Sequence, residues 1–407
     1  MNTNKLNQIF TDTAYIRMGG TAEELKCAKY LQEKCAEIGL EAHLEAFDVQ
    51  GATMKKCMLL IDGKEIPCKG YFNAGSAEVE APFYYLRAND AYSLSQCKDK
   101  IVMMDGRIRY WTYKDLMEHG AVGFITYDGN AFYTDEDIEQ RDLREEVHQN
   151  GKKLPCVYIN TKKAIEIVKS NPKMAKIVLD QDEYVNQSHN VVLDLPGEVD
   201  EYILFTAHYD TTSNSVGAYD NMSGCIGLLG IAEKFAKESH RYGLRFVWCG
   251  SEESGLLGSR AYAKMHEEDL KKCVLNINLD MIGCIMGNFI ACVTAEQKLV
   301  HFVEYFCNIK GFDMKAKQDV YASDSTPIAD KGVPALSFAR IAPDNTAKIH
   351  VRYDTVDVMS NEQLLTDIDF INSFVDVMAN AKQIPVSRKM PDNMKEKLDI
   401  YNCRKRA

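Results

Sequence analysis

No apolar run in this 407-residue chain is long enough to cross a bilayer as a helix, which takes about 20 residues. A membrane span is therefore excluded on sequence grounds. The opening stretch MNTNKLNQIFTDTAYIRMGG also lacks the short apolar core of a secretory signal, unless a longer leader once preceded it. Basic charge is scarce as well: 48 Lys and Arg stand against 59 Asp and Glu, for a net charge of −11 and a pI near 5.4. That balance argues against nucleic acid, whose binders need a basic face. The one concentrated basic run, Arg404, Lys405 and Arg406, lies near Arg388, Lys389, Lys395 and Lys397, so it reads as a solvated, partly frayed helix and residues 386–407 as a basic tail. The 13 cysteines include no CxxC pair and are odd in number, and several, such as Cys225, Cys249 and Cys292, sit in apolar settings. Unpaired, buried thiols of that kind point to a reducing cytoplasm.

Several catalytic signatures are missing too. His266-Glu267-Glu268 is followed by Asp269 and Leu270, so there is no HExxH, and there is neither a GxSxG elbow nor a phosphate-binding glycine loop. Gly224, Gly227 and Gly230 have the wrong spacing for phosphate and read as sites of close helix packing. No internal repeat, low-complexity tract or flexible linker interrupts the chain.

What is present is the composition of an ordinary globular protein, 46% hydrophobic and 26% charged with a mean hydropathy of −0.29. Single cores stop growing at roughly 250–300 residues, so two domains are expected. GTAEELKCAKYLQEKCAEIGL (20–40) has the periodicity of an amphipathic helix, and Glu41–Val49 reads as a strand. Residues 52–184 change texture to short strands, turns and aromatics, with KDKIVMMDG and GAVGFITYDGN as strands and little metal-ligand chemistry. From Ser188 onward, strand and helix alternate to the end. The fold class expected is α/β: a doubly wound, mostly parallel sheet flanked by helices, formed by residues 1–51 and 185–385, with 52–184 inserted as a smaller β-rich α/β domain.

The stretch YILFTAHYDTTSNSVGAYDNMSGCIGLLG (202–230) runs from an apolar strand through polar residues into an apolar helix. His208 and Asp210 follow the strand, and Asp220 precedes the helix. Glu252 and Glu253 follow the apolar run Leu244–Cys249, Asp280 follows Val274–Leu279, and His350 comes later in KIHVRYDT. A lone His or Asp in a loop is ordinarily solvated surface. Strand ends of an open parallel sheet face one crevice, however, and imidazoles with carboxylates converging there are what catalytic Zn²⁺ takes.

These residues carry a resemblance to the di-zinc aminopeptidases of metallopeptidase family twenty-eight, the group of aminopeptidase Y, aminopeptidase S and bacterial leucyl aminopeptidase. The family pattern appears in order as His208-x-Asp210, Asp220-Asn221, Glu252-Glu253, Asp280, and His350 with Asp354-Thr355. SDSTPIADKGVPAL (323–336) is similar to a further family stretch, although Ser325 stands where the family often has His, and Val351 where it commonly has Thr. Residues 52–184 resemble a protease-associated domain. The resemblance implies that Asp220 bridges two Zn²⁺ ions, with Glu253 and His350 completing one and His208 and Asp280 the other. Co²⁺ or Mn²⁺ would suit the same ligands. It further implies that Asp210 orients His208, Glu252 is the general base, and Tyr321 helps stabilise an oxyanion. Peptides with a free amino terminus would be the substrates. Two alternatives remain open at this stage: a glutaminyl cyclase-like acyltransferase with a single zinc, and an inactive peptidase-like binding protein. Oligomeric state is not legible.

Overall fold

YILFTAH folds as the strand Tyr202–His208 because every residue before its closing histidine is apolar or small, and it is buried along its whole length. Its side chains alternate between two cores, as the period of a strand requires. Ile203, Phe205 and Ala207 enter one cluster, while Tyr202 and Leu204 enter another that holds Val247, Tyr262 and Ile328. A sheet covered on both faces reads as a continuous apolar run rather than an alternating one.

In the computed structural model, which describes residues 1–149, 151–344 and 346–406, the chain divides into two units, Met1–Val49 with Gln187–Lys405 and Gln50–Asn186. In the first unit, Ala335–Ile341, Cys273–Leu279, Tyr202–His208 and Gly243–Cys249 lie side by side and parallel. Antiparallel neighbours flank them: Asn288–Thr294 beside Ala335–Ile341, and residues 191–195 beside Gly243–Cys249. Lys315–Gln318 closes that edge, parallel to Asn288–Thr294. The chain leaves Tyr202–His208, adds Gly243–Cys249 on one side, then returns to add Cys273–Leu279 on the other. That reversal is a topological switch point, where crevices open at the carboxyl ends of strands.

The helix Ser223–Phe235 begins beyond His208 and is buried on nearly every side. Its glycines permit this: a Cβ on Gly224 would collide with the Leu279 carbonyl, and one on Gly227 would stand 2.7 Å from the Leu279 side chain. Ala22–Glu37 and Asn361–Ala379 contribute to the same core, in which Phe289, Phe306, Phe338, Phe370 and Phe374 pack largely edge to face. Asp392–Tyr401 is a helix whose Met394 and Leu398 are buried against Ala329 and Ala335.

The second unit has its own core. Ala77–Tyr85, Ile101–Asp105, Gly123–Asp128 and Cys156–Asn160 are successive parallel strands, with Tyr110–Glu118 and Thr161–Ser170 among its helices. None of the candidate site residues lies in it. Among the described residues, no helix is long and apolar enough to cross a membrane.

Candidate metal centre

Register brings the strand ends level. Cys249 pairs with His208, so the loop that follows carries Glu252 and Glu253 beside it. Asn278 pairs with Thr206, and two residues further on Asp280 comes level with His208. Asp220 comes from the turn Ala218–Met222, in which Asp220 and Asn221 leave helical geometry, entered through Gly217 at φ 57°. A Cβ at Gly217 would strike the Asp220 carbonyl, so only glycine lets the loop close this tightly. The Asp220–Asn221 peptide is cis.

The result is two ligand groups with one member in common. His208, Asp220 and Asp280 form the first and Asp220, Glu253 and His350 the second, the potential ligand atoms within each lying no more than 4.8 Å apart. Asp220 turns one oxygen to each imidazole: Oδ1 is 3.0 Å from His208 Nε2, and Oδ2 is 3.2 Å from His350 Nε2. Asp280 Oδ1 lies 3.7 Å from His208 Nε2, and Glu253 Oε2 lies 3.1 Å from His350 Nε2. Asp280 Oδ1 is buried with no hydrogen-bond partner, a position that is costly without a cation. The mixed imidazole and carboxylate set is that of zinc, so the residues present fit this metal. All five side chains expected to bind it are thus brought together.

The electrostatics agree. Burial opposes a charged His208, yet the charge of Glu252 and the adjacent carboxylates of Asp210, Asp220 and Asp280 outweigh it and hold its pKa well above the ordinary value. Burial likewise opposes ionised Asp220, but His208 and His350 pull its carboxyl far below the usual range. Glu252 has no such relief. Burial drives its carboxyl well above the usual range, and although His208 opposes this, Glu253, Asp324 and Asp280 add to it. A crowd of desolvated carboxylates is the environment that bound cations neutralise.

Supporting groups fix the geometry. Asp210, fully buried, sits 3.4 Å from His208 Nδ1 and accepts the backbone N–H groups of Glu252 at 2.9 Å and Glu253 at 3.0 Å. One carboxylate thus stands beside an imidazole and holds the backbone N–H groups of both glutamates. Asp354, in the His350-x-x-x-Asp354 pattern, accepts the N–H groups of Tyr219 at 2.7 Å and Asp220 at 3.1 Å. Burial, and then the charge of Asp220, push its own carboxyl up to about 7. Asn221 ties the same turn to Asp280, accepting Met281 N–H and donating to the Leu279 carbonyl. Tyr321 presents a buried hydroxyl with no hydrogen-bond partner, and burial followed by the charge of Asp280 keeps the phenol protonated.

Sequence reasoning missed Arg17 and Glu24. The Arg17 guanidinium is completely buried and donates to the carbonyls of Tyr209, Val216 and Gly217, spanning the loop between His208 and Asp220. Its only signal was a lone Arg before a helix, which is ordinarily surface. Ser325, where the family often has His, is buried and shares a hydroxyl hydrogen bond with Ser337 at 2.8 Å. His266, the nearest approach to a zinc-motif histidine elsewhere, bonds both oxygens of Glu45 at 3.0 Å and stacks on Tyr262, a structural role.

Residues 190–374 match the model of peptidase family M28. Aminopeptidase YwaD of Bacillus subtilis is 25% identical over 383 residues, covering 88% of this chain and 80% of the relative. An aminopeptidase of Pseudomonas aeruginosa is 28% identical over 174 residues, which span 42% of this chain and only 32% of the relative. The solved structure of a zinc aminopeptidase from Bacillus subtilis superposes with a TM-score of 0.76 at 22% identity, covering 96% of this chain and 97% of that one, a likeness of fold. Every candidate side chain described above from His208 to Asp354 lies within the span, residues 190–374, that matches peptidase family M28.

Proposed function

We propose that the chain is a zinc aminopeptidase that releases amino-terminal residues from peptides through a two-ion centre. The observation that carries this reading is the pair of ligand groups meeting at Asp220. His208 and Asp280 would hold one ion, Glu253 and His350 the other, and Asp220 would bridge them. A shared carboxylate screens two neighbouring cations that otherwise repel. The family and the names of the relatives support the same activity. Zinc held there supplies Lewis acidity, polarising a carbonyl and bringing the pKa of water from 15.7 toward about 7.

The protein's own groups do the remaining work. Glu252 accepts the proton of the attacking water and returns it to the departing amine, while its neighbour Glu253 serves the ion. The Tyr321 hydroxyl, without another partner, donates to the oxygen that gains charge on the tetrahedral carbon. Asp210 keeps His208 in one orientation and holds the backbone of both glutamates. We also read residues 52–184 as a protease-associated module.

The test is Glu252→Gln, assayed on a panel of aminoacyl chromogenic substrates with zinc counted per chain. Turnover should fall about 10²–10⁴-fold, as for loss of a general base, with zinc content unchanged. A variant with near-normal turnover would remove Glu252 from that role. Pyroglutamate formation from a peptide beginning in Gln, with no amino acid released, would replace the whole reading with a cyclase.

A further inference from the structure

Thr21 caps the helix Ala22–Glu37 and Glu24 stands at its third position, the spacing of a capping box. In that motif the glutamate reaches back to the N–H of the capping residue. Glu24 does otherwise. Its Oε2 accepts Gly20 N–H at 2.7 Å, and its Oε1 is given to residues far along the chain: Ser188 Oγ at 2.8 Å, Ser251 N–H at 2.8 Å and Ser251 Oγ at 3.0 Å. The side chain is almost completely buried. Helix capping requires none of the contacts to Ser188 and Ser251.

Ser251 immediately precedes Glu252 and is held at φ 53°, a left-handed conformation that residues with a Cβ rarely adopt. Glycine would be the ordinary choice there. The neighbouring packing is close: a Cβ on Gly19 would collide with Ser251 Oγ, and one on Gly250 would stand 2.9 Å from Glu24 Oε1. From Ser251 to Glu253, three successive backbone N–H groups are donated to two buried carboxylates, the first to Glu24 and the next two to Asp210. Asp210 explains how Glu252 and Glu253 are held once the turn exists. Glu24 accounts for the turn itself.

We propose that Glu24 is a positioning residue for the Glu252–Glu253 pair: by binding both the N–H and the hydroxyl of Ser251, it holds that residue in the left-handed turn that aims the two glutamates into the metal centre. The activity arm of the test rests on the aminopeptidase reading; a second arm does not.

The variants are Glu24→Ala, Glu24→Ala with Ser251→Gly, Ser251→Ala and Ser251→Gly. Each is measured for kcat, KM, zinc per chain and hydrogen exchange of the 251–253 amides. Glu24→Ala should lower kcat about tenfold or more with KM and zinc content little changed, since misplacing a reacting group by about 1 Å costs up to about 10²-fold. Its 251–253 amides should exchange faster. Adding Ser251→Gly should recover about threefold or more of the loss, because glycine takes φ 53° without strain. A residue needed only for folding would not be rescued this way. With Glu24 intact, so that folding is not at issue, Ser251→Ala should be slower than Ser251→Gly, although both lose the same hydroxyl. Wild-type exchange at 251–253 in Glu24→Ala would overturn the proposal, as would equal rates for Ser251→Ala and Ser251→Gly. A wild-type protein that cleaves no peptide would instead overturn the aminopeptidase reading, and the exchange arm would still decide the role of Glu24.

Discussion

Replacing Asp210 with Asn keeps the shape of a fully buried side chain but gives it one acceptor where there were two. Oδ1 now accepts Glu252 N–H at 2.9 Å and stands 3.4 Å from His208 Nδ1, while Oδ2 accepts Glu253 N–H at 3.0 Å. Whichever way the amide turns, its NH₂ faces a backbone N–H, and the carboxylate charge that favours one orientation of His208 is gone. The damage therefore reaches both ligand groups, one through the His208 ring and the other through the backbone that places Glu253. Loss of a group that orients a metal ligand typically costs about 10–100-fold in metal affinity, or about 1.4–2.7 kcal/mol. Competition against a chelator of known zinc affinity measures this directly, with circular dichroism checking that the fold is retained. Zinc affinity within twofold of wild type would refute the claim that Asp210 organises the centre.

The buried pair Arg340–Asp367, joined at 2.6 Å and again from Nε to Oδ2 at 2.9 Å, should not tolerate loss of one partner: Arg340→Met is expected to lower the urea unfolding free energy by about 3–5 kcal/mol, and Arg340→Met with Asp367→Leu to recover part of it. Gly224→Ala drives a methyl into the Leu279 carbonyl, so unfolding free energy should fall by about 1–3 kcal/mol, and an unaltered urea midpoint would contradict the packing described. The Glu24 carboxyl is pushed up to about 8 by burial and then by the charge of Asp210. Between the ordinary carboxylate range and about 8 the folded chain holds a proton that the unfolded chain has shed, so this group's contribution to stability falls as pH rises through that window. Urea midpoints of wild type and Glu24→Gln at pH 5.5 and 8 should differ in that sense, wild type losing more on going to the higher pH.

The legibility of each residue depends on where it stands. His208, Glu252, Glu253 and Asp280 could be found because each ends or comes after an apolar run, and buried parallel strands deliver the residues beyond their carboxyl ends into one crevice. His350 has no such run directly before it; its loop was recognisable only by the His-x-x-x-Asp-Thr resemblance. The glycines at 224, 227 and 230 were readable as packing sites because no phosphate-binding spacing fitted them. Asn288–Thr294 escaped notice as a strand, although Gly283 and Gly287-Asn288 mark its start. Arg17 and Glu24 were illegible for a different reason. Each looks like an ordinary residue of its local segment, Glu24 a first-turn acid favoured by the helix dipole, and its real partners are about 190 or 230 positions away. Local pattern carries no information about such contacts.

The central claim is that Asp220 is shared by two ions. Anomalous diffraction at the zinc edge, on crystals of the zinc-loaded protein, tests it most directly. The account predicts two peaks flanking the Asp220 carboxylate, one at about 2.0–2.2 Å from His208 and Asp280 and the other at the same distance from Glu253 and His350. A single peak, or two peaks that leave Asp220 uncoordinated, would contradict it.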